Sequence, residues 1–163
     1  MNNGTYSKLY IYGAEVLFNE NELLQYLNKW QKILRLKDWD IKLELVTKEW
    51  RKTGDIKIDQ SDKTAILLIN NFNPKYTAIE AVIIHELLHI KLYGMDQMIE
   101  TLLHCVYGDN KNDPKFSFAY SQFMELLEVT TEDLTKGYVE LGADEKGISF
   151  GRIQKDANDE WVN

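Results

Sequence analysis

The segment AVIIHELLHIKLYG, residues 81–94, carries two histidines and a glutamate inside an otherwise apolar run. His85 and His89 are two of the three histidines in the 163-residue chain, and they lie four positions apart. Side chains four apart on an α-helix point in almost the same direction, because each residue turns the helix by about 100°. A helix over this segment would therefore aim both imidazole rings at one point and leave Glu86 beside them.

The residues from His85 to His89 match the HExxH motif, in which two imidazoles bind a metal ion and the glutamate activates a water. Glu86 lies about 100° round the helix from His85 and about 60° from His89, so it can reach that water without binding the metal. The motif predicts a catalytic Zn²⁺ site with Glu86 as general base. A second interpretation is a pair of buried histidines that hydrogen-bond polar groups.

A catalytic zinc site needs a third protein ligand. The compact pattern HExxHxxGxxH is absent, because Leu92 and Met95 stand where glycine and histidine are required, and this excludes the metzincin class. One candidate ligand is a glutamate of a later predicted helix, for which Glu128 is our choice. Glu125 and Glu132 lie one turn to either side, so one of these glutamates would bind metal while a neighbour orients a histidine.

The other candidate ligand is His104, fifteen residues beyond His89, which would complete a site of three imidazoles. The alternative interpretation is a histidine on an ordinary helix. The adjacent Cys105 is the only cysteine, and we expect it to behave as a small apolar side chain. A donor to the oxyanion of the reaction is also expected, but no spacing selects among Tyr76, Tyr93 and Tyr120.

Hydrophobic periodicity on both sides of the motif predicts an α+β domain with a small three- to four-stranded sheet. Thr77 and Glu80 have the spacing of a capping box that opens the motif helix, and Gly94 is expected to end it. The strands are close in sequence, which indicates an antiparallel sheet. The predicted helices cover residues 20–36, 77–93, 96–107 and 116–136, and the predicted strands cover 39–45, 55–58 and 64–69.

Composition limits the class of protein. The formal charge of -7 and the lack of a basic block argue against nucleic acid as the main partner. We expect no membrane span and no cleaved leader, and a single cysteine gives no reason to expect an oxidising compartment, so the expected location is the cytoplasm. We expect one domain over 1–141 and a charged tail or arm over 142–163, whereas the sequence sets no oligomeric state.

The sequence resembles the zincin metallopeptidases, through His85, Glu86 and His89, and more closely the small single-domain zincin-like proteins of bacteria and their phages. The resemblance spans about residues 23–141. The order is an N-terminal helix, a tryptophan-led strand, two more strands, the HExxH helix and a glutamate-bearing helix. The matching pieces are LKDWDI (36–41), AILLI (65–69), IHELLH (84–89) and Leu127-Glu128 followed by Glu132 and Leu134.

The resemblance implies a zinc peptidase that acts on a protein or peptide, with a gluzincin-like glutamate, Glu128, as third ligand. It also implies that one sheet edge aligns an extended peptide, which we assign to residues 64–70. A rival resemblance is to SprT-like proteases, which cleave proteins crosslinked to DNA and would use His104, although the usual following glycine is absent. A non-catalytic regulatory or binding protein on a zincin scaffold is a further alternative.

Overall fold

Three helices and a three-stranded sheet make up most of the chain in a computed structural model, which describes residues 10–11, 14–15, 17–147, 153 and 157. The predicted α+β class is confirmed, with an N-terminal helix, a small sheet, the motif helix and a following helix that bears the glutamates. The elements are β1 (Tyr10–Ile11), β2 (Ala14–Glu15), α1 (Glu20–Ile33), β3 (Asp40–Val46), β4 (Gly54–Asp59), β5 (Thr64–Asn70), α2 (Ile79–Tyr107) and α3 (Pro114–Gly142).

The three-stranded sheet has the order β3-β5-β4, with β3 parallel and β4 antiparallel to β5. The prediction of an antiparallel sheet is therefore wrong for one of the two pairings. The assignment of residues 64–70 to a peptide-binding edge is also wrong, because β5 is the central strand and both of its sides are paired. The almost continuous apolar run Ala65–Ile69 suits that central position.

One face of the sheet packs on the helices and forms the core. Leu67 and Ile69 of β5 are fully buried against Ile83 and Leu87 of α2 in one cluster, which the α1 residue Trp30 also joins. The apolar residues that flank the histidines in the sequence thus anchor α2 to the sheet. This packing fixes the direction in which the other side of α2 faces.

Helix α2 runs for 29 residues without a break, so the two helices predicted on either side of Gly94 are one. A glycine inside a helix costs about 1 kcal/mol relative to alanine, which a long packed helix tolerates. A Cβ at Gly94 would lie 3.2 Å from the Gln60 side-chain nitrogen, so the turn between β4 and β5 approaches the helix closely here. The packing of the long helix therefore outweighs the tendency of Gly94 to end it.

The predicted capping box does not form at the start of α2. Ala78 is the N-cap and makes no side-chain cap hydrogen bond. Glu80 is instead 1% exposed, and its Oε1 accepts hydrogen bonds from Lys29 Nζ and Trp30 Nε1, each at 2.8 Å. Its Oε2 accepts one from the backbone N–H of Asp144 at 2.8 Å. This carboxylate joins α1, α2 and the segment after α3.

Helix α3 is longer than predicted at both ends, because Asp113 caps it through Lys115 N and it continues past Gly137 to Gly142. Ala143, at the start of the predicted tail, is buried, whereas 148–163 apart from Ile153 and Ala157 lie outside the described residues. Among the described helices, none is both long and apolar enough to cross a bilayer.

Candidate metal centre

The two histidines of α2 converge as the helical spacing predicts. His85 Nε2 lies 3.2 Å from His89 Nε2, and the ring centroids are 5.0 Å apart at an angle of 71°. Both side chains are 19% exposed, so they lie at a partly covered position that solvent still reaches. Two ring nitrogens thus face one small region beside α2.

Glu128 on α3 reaches the same region from the opposite side. Its Oε2 lies 3.5 Å from His85 Nε2, and its Oε1 lies 3.5 Å from His89 Nε2. The ligand atoms of these three residues all lie within 4.8 Å of one another. The structure therefore brings together His85, His89 and Glu128, the three residues chosen as metal ligands.

The distance between the two ring nitrogens suits two ligands of a single tetrahedral ion, and the carboxylate lies close to both. Ligand atoms bound at 2.0–2.1 Å to a tetrahedral zinc lie about 3.3 Å from one another. The two nitrogens are 3.2 Å apart, His85 Nε2 is 3.5 Å from Glu128 Oε2, and His89 Nε2 is 3.5 Å from Glu128 Oε1. Two imidazoles and one carboxylate are a ligand set that zinc accepts, and three ligands leave a fourth position open.

Glu132 lies one turn beyond Glu128 and contacts the other nitrogen of a histidine. Its Oε2 is 3.4 Å from His85 Nδ1, so this carboxylate can accept the Nδ1 proton and hold Nε2 free to bind a metal. Glu125, one turn before Glu128, is exposed and is not a member of the cluster in the part of the chain that the structure describes. The structure thus places the three glutamates differently with respect to the two histidines.

The pKa values of the two histidines move in opposite directions. Burial lowers the pKa of His85, but the hydrogen bond to Glu128 and the charges of Glu86, Glu128 and Glu132 outweigh it and raise the pKa overall. Burial and the neighbouring charge of His85 lower the pKa of His89. A second positive charge is therefore disfavoured, as expected for two imidazoles that face one point.

Glu86 is buried between α2 and the edge of the sheet. Its side chain is 8% exposed, and burial raises its pKa to about 7, against the opposing influence of His85. A general base works best when its pKa is near the working pH. A Cβ on Gly54, the first residue of β4, would lie 3.0 Å from Glu86 Oε1. The carboxylate therefore lies directly against the backbone of an edge strand.

The close contact of Gly54 with α2 was not predicted from the sequence. A side chain at this position would also come within 2.6 Å of Val82 Cγ1, so the close approach of β4 to α2 requires a glycine. Asp55, the next residue, accepts hydrogen bonds from Lys52 and Lys57 at 3.1 and 2.6 Å. The only sequence signal was a glycine at the start of an alternating strand, and it does not specify which helix the strand meets.

His104 lies far from this cluster. It is fifteen residues beyond His89 on the same continuous helix, which separates the two by about 22 Å at 1.5 Å per residue. Its Nδ1 is 3.1 Å from Asp109 Oδ1, and its ring lies 5.0 Å from that of Phe116. Because both histidines belong to one rigid helix, His104 cannot reach a metal held by His89.

The tyrosines considered as oxyanion donors do not join the site as a group. Tyr120 stacks on Phe116 with ring centroids 5.7 Å apart, in the region of His104. Burial raises its pKa, with further contributions from Glu100 and Asp96. Tyr76 and Tyr93 are half-buried, and no contact of theirs singles out either one among the described residues.

Comparisons of the chain with protein-family models, with curated proteins and with solved structures find no match.

Proposed function

We propose that the protein is a zinc-dependent peptidase. The observation that carries this proposal is the cluster of His85, His89 and Glu128. Its two ring nitrogens are 3.2 Å apart, close to the edge of a zinc tetrahedron, and each lies 3.5 Å from one oxygen of the Glu128 carboxylate. A purely structural zinc site usually closes the fourth position and needs no base. Here three ligands would leave that position open, and Glu86 is close enough for the charges of His85 and Glu128 to influence its pKa.

The chemistry divides between the metal and the chain. When bound, zinc lowers the pKa of a coordinated water and polarises a carbonyl oxygen. Glu86 takes the proton from the attacking water and passes it to the leaving amine. In the metal-free protein burial raises the pKa of Glu86 to about 7, and the positive charge of a bound zinc would lower it and favour the carboxylate that accepts the proton. Glu132 holds the orientation of the His85 ring during the reaction.

The substrate in this proposal is an extended peptide that lies along β4. This strand forms one edge of the sheet within residues 17–147, and its outer side is not paired there. Gly54 brings the backbone of β4 to within contact distance of Glu86. A peptide that pairs with this edge would gain main-chain hydrogen bonds and would pass close to the metal cluster.

Zinc content and peptide cleavage together test the proposal. Wild type should bind about one zinc per chain and cleave a peptide library, whereas Glu86→Gln should keep its zinc and lose at least about a hundredfold in rate. His85→Ala should lose both properties. His104→Ala is the matched control and should keep both, because His104 lies outside the cluster.

The outcomes separate the alternatives. Equal cleavage by wild type and Glu86→Gln would remove the role given to Glu86. Bound zinc without cleavage in either protein would favour the non-catalytic binding module on this scaffold. Loss of zinc in His104→Ala would favour the SprT-like arrangement, which has no support in a geometry that holds His104 about 22 Å from His89.

A further inference from the structure

Two lysines and an aspartate lie together at the start of β4, next to the contact between Gly54 and Glu86. Lys52 Nζ is 3.1 Å from Asp55 Oδ1, and Lys57 Nζ is 2.6 Å from Asp55 Oδ2. We call Lys52, Asp55 and Lys57 the basic cluster, because one positive charge remains after the aspartate is paired. The chain as a whole is acidic, with a formal charge of -7, so this cluster differs from the average of the molecule.

The backbone that carries Lys52 is held in place by a buried side chain. Asn70 is fully buried, and its Nδ2 donates to the carbonyl oxygens of Trp50 and Lys52 at 3.1 and 2.8 Å. The backbone N–H of Asn70 also donates to Thr53 O at 2.8 Å. The segment that enters β4 is therefore fixed to the central strand of the sheet.

The same hydrogen bond shows which backbone groups of β4 face the open edge. Because Asn70 N–H bonds to Thr53 O, Asp55 also directs its N–H and C=O to β5 in this antiparallel pair. Gly54, between Thr53 and Asp55, directs its own groups away from β5. Gly54 also contacts Glu86, so a peptide paired with this edge would bond to Gly54 beside the proposed general base.

The side chains of Asp55 and Lys57 point to the face of the sheet opposite the core, which we call the outer face. They pair with Leu68 and Ile66 of β5, whereas Leu67, between these two, is buried in the core. Side chains alternate along a strand, so every second residue of a paired peptide would lie on the outer face, next to Asp55 and Lys57.

The lysines of the cluster can accept a further partner more readily than the aspartate can. Lys52 and Lys57 are 43% and 64% exposed, whereas Asp55 is 18% exposed and each of its oxygens already accepts a hydrogen bond from one lysine. An ammonium group has three N–H donors, so each lysine keeps donors for another acceptor. A carboxylate would meet two cations, whereas a cation would have to displace a lysine.

The charges of the cluster extend to the candidate metal centre. Burial and the charge of His85 have the largest effects on the pKa values of Glu86 and His89. Asp55 raises and Lys52 lowers the pKa of both groups. Screening largely limits such effects to about 10 Å, so this end of β4 lies near the metal ligands.

We propose that Lys52 and Lys57 select peptides with an acidic side chain on the outer face, one or two residues from the bond that is cut. The inference rests on the peptidase proposal and adds a substrate class to it. Gly54 places the peptide beside Glu86, and the lysines recognise the nearest outer-face side chain.

The test uses short blocked peptides in which one position at a time is Glu or Gln. Binding to the metal-free protein in chelator and cleavage by the zinc-loaded protein are both measured. At one position, Glu should lower Kd and KM about fivefold relative to Gln, with little change in kcat. The preference should weaken at high salt, which screens exposed charges.

Lys57→Glu should abolish or reverse this preference, because it leaves the cluster with a net negative charge. Lys42→Glu is the matched control and should keep the preference, since Lys42 is a 70% exposed lysine on the outer face of the opposite edge strand, β3. Circular dichroism checks that each variant is folded. If Lys57→Glu does not fold, Lys57→Gln carries the same test and should reduce the preference.

Equal binding of Glu and Gln peptides by wild type overturns the inference. A preference that persists in folded Lys57→Glu, or that disappears in Lys42→Glu, also overturns it. Cleavage without any preference for Glu would remove only this inference and leave the peptidase proposal intact. A preference in binding without cleavage of any peptide would remove the peptidase proposal and support the lysines as the part of the surface that recognises acidic peptides.

Discussion

Glu86 Oε1 lies 3.0 Å from the position that a Cβ would take on Gly54, and Val82 Cγ1 lies 2.6 Å from it. This contact between α2 and β4 leaves no room for a methyl group. The same glycine therefore lies between Glu86, the proposed general base, and β4, the strand proposed to pair with the substrate.

Gly54→Ala should destabilise the protein by about 1–3 kcal/mol, because Val82 and Glu86 must shift to admit the Cβ. Urea unfolding measures the change. Val82→Ala combined with Gly54→Ala should recover part of the loss, since it removes the closest atom. Gly137→Ala, in an open part of α3, is the control and should stabilise by about 0.5–1 kcal/mol. Equal effects at both glycines would contradict the close approach.

Glu86→Gln should stabilise the metal-free protein in a pH-dependent way. Burial raises the pKa of Glu86 from 4.5 to about 7, so the native state disfavours the ionised form. The resulting penalty is absent below pH 4.5, grows as the pH rises and is complete above pH 7, where it reaches about 3 kcal/mol. The variant carries no such charge and should escape the penalty.

Urea unfolding of both proteins in chelator, at pH 5 and at pH 8, measures this difference. The advantage of Glu86→Gln should be small at the lower pH and large at the higher pH. Glu49→Gln, at an exposed position, is the control and should follow wild type at both values. An advantage of the same size at both pH values would show that ionisation of Glu86 does not cause it.

Glu132→Gln should weaken zinc binding about tenfold, because the amide holds the Nδ1 proton of His85 less strongly than a carboxylate does. Glu125→Gln is the matched control on the same helix and should bind zinc as wild type does. Competition with a chelator of known affinity measures both. A larger loss in Glu125→Gln than in Glu132→Gln would mean that Glu125, rather than Glu132, supports the ligands.

Glu80→Gln should cost about 2–4 kcal/mol of unfolding free energy, because a buried carboxylate that accepts several hydrogen bonds loses its charge and part of its acceptor capacity. Chemical denaturation measures this value. Asp144→Asn should be nearly neutral, since the Asp144 side chain is 72% exposed and only its backbone N–H bonds Glu80. A neutral result for Glu80→Gln would show that the buried network contributes little.

The parts of the fold that depend on local pattern could be predicted from the sequence. Two histidines four apart on a helix must converge, and the apolar residues around them must face a core. Strand order could not be predicted in this way, because the parallel pairing of β3 with β5 joins segments that the local pattern treats separately. The stop expected at Gly94 failed for a related reason, since contacts along the whole helix outweigh one residue's propensity.

In the candidate site, too, local pattern predicts some features and long-range packing determines the others. Periodicity places Glu125, Glu128 and Glu132 on one side of a helix, but only the packing of α3 on α2 determines which carboxylate meets which nitrogen. Gly54 illustrates the limit most clearly, because its importance lies in a neighbour 32 positions away. No local pattern carries that information.

The hydrogen bonds of Glu80 tie the segment after α3 to the start of α2. Its Oε2 accepts a hydrogen bond from the backbone N–H of Asp144, which follows the last turn of α3. Ala143, the residue before it, is buried. A chain that ends at Gly142 would therefore lose the hydrogen bonds from Asp144 and Glu145 to Glu80, although it would still contain α1, α2, α3 and the three-stranded sheet. We predict that a shortened chain needs the residues through 145 to keep this stabilisation, because the N–H of Glu145 also donates to the Glu80 carboxylate.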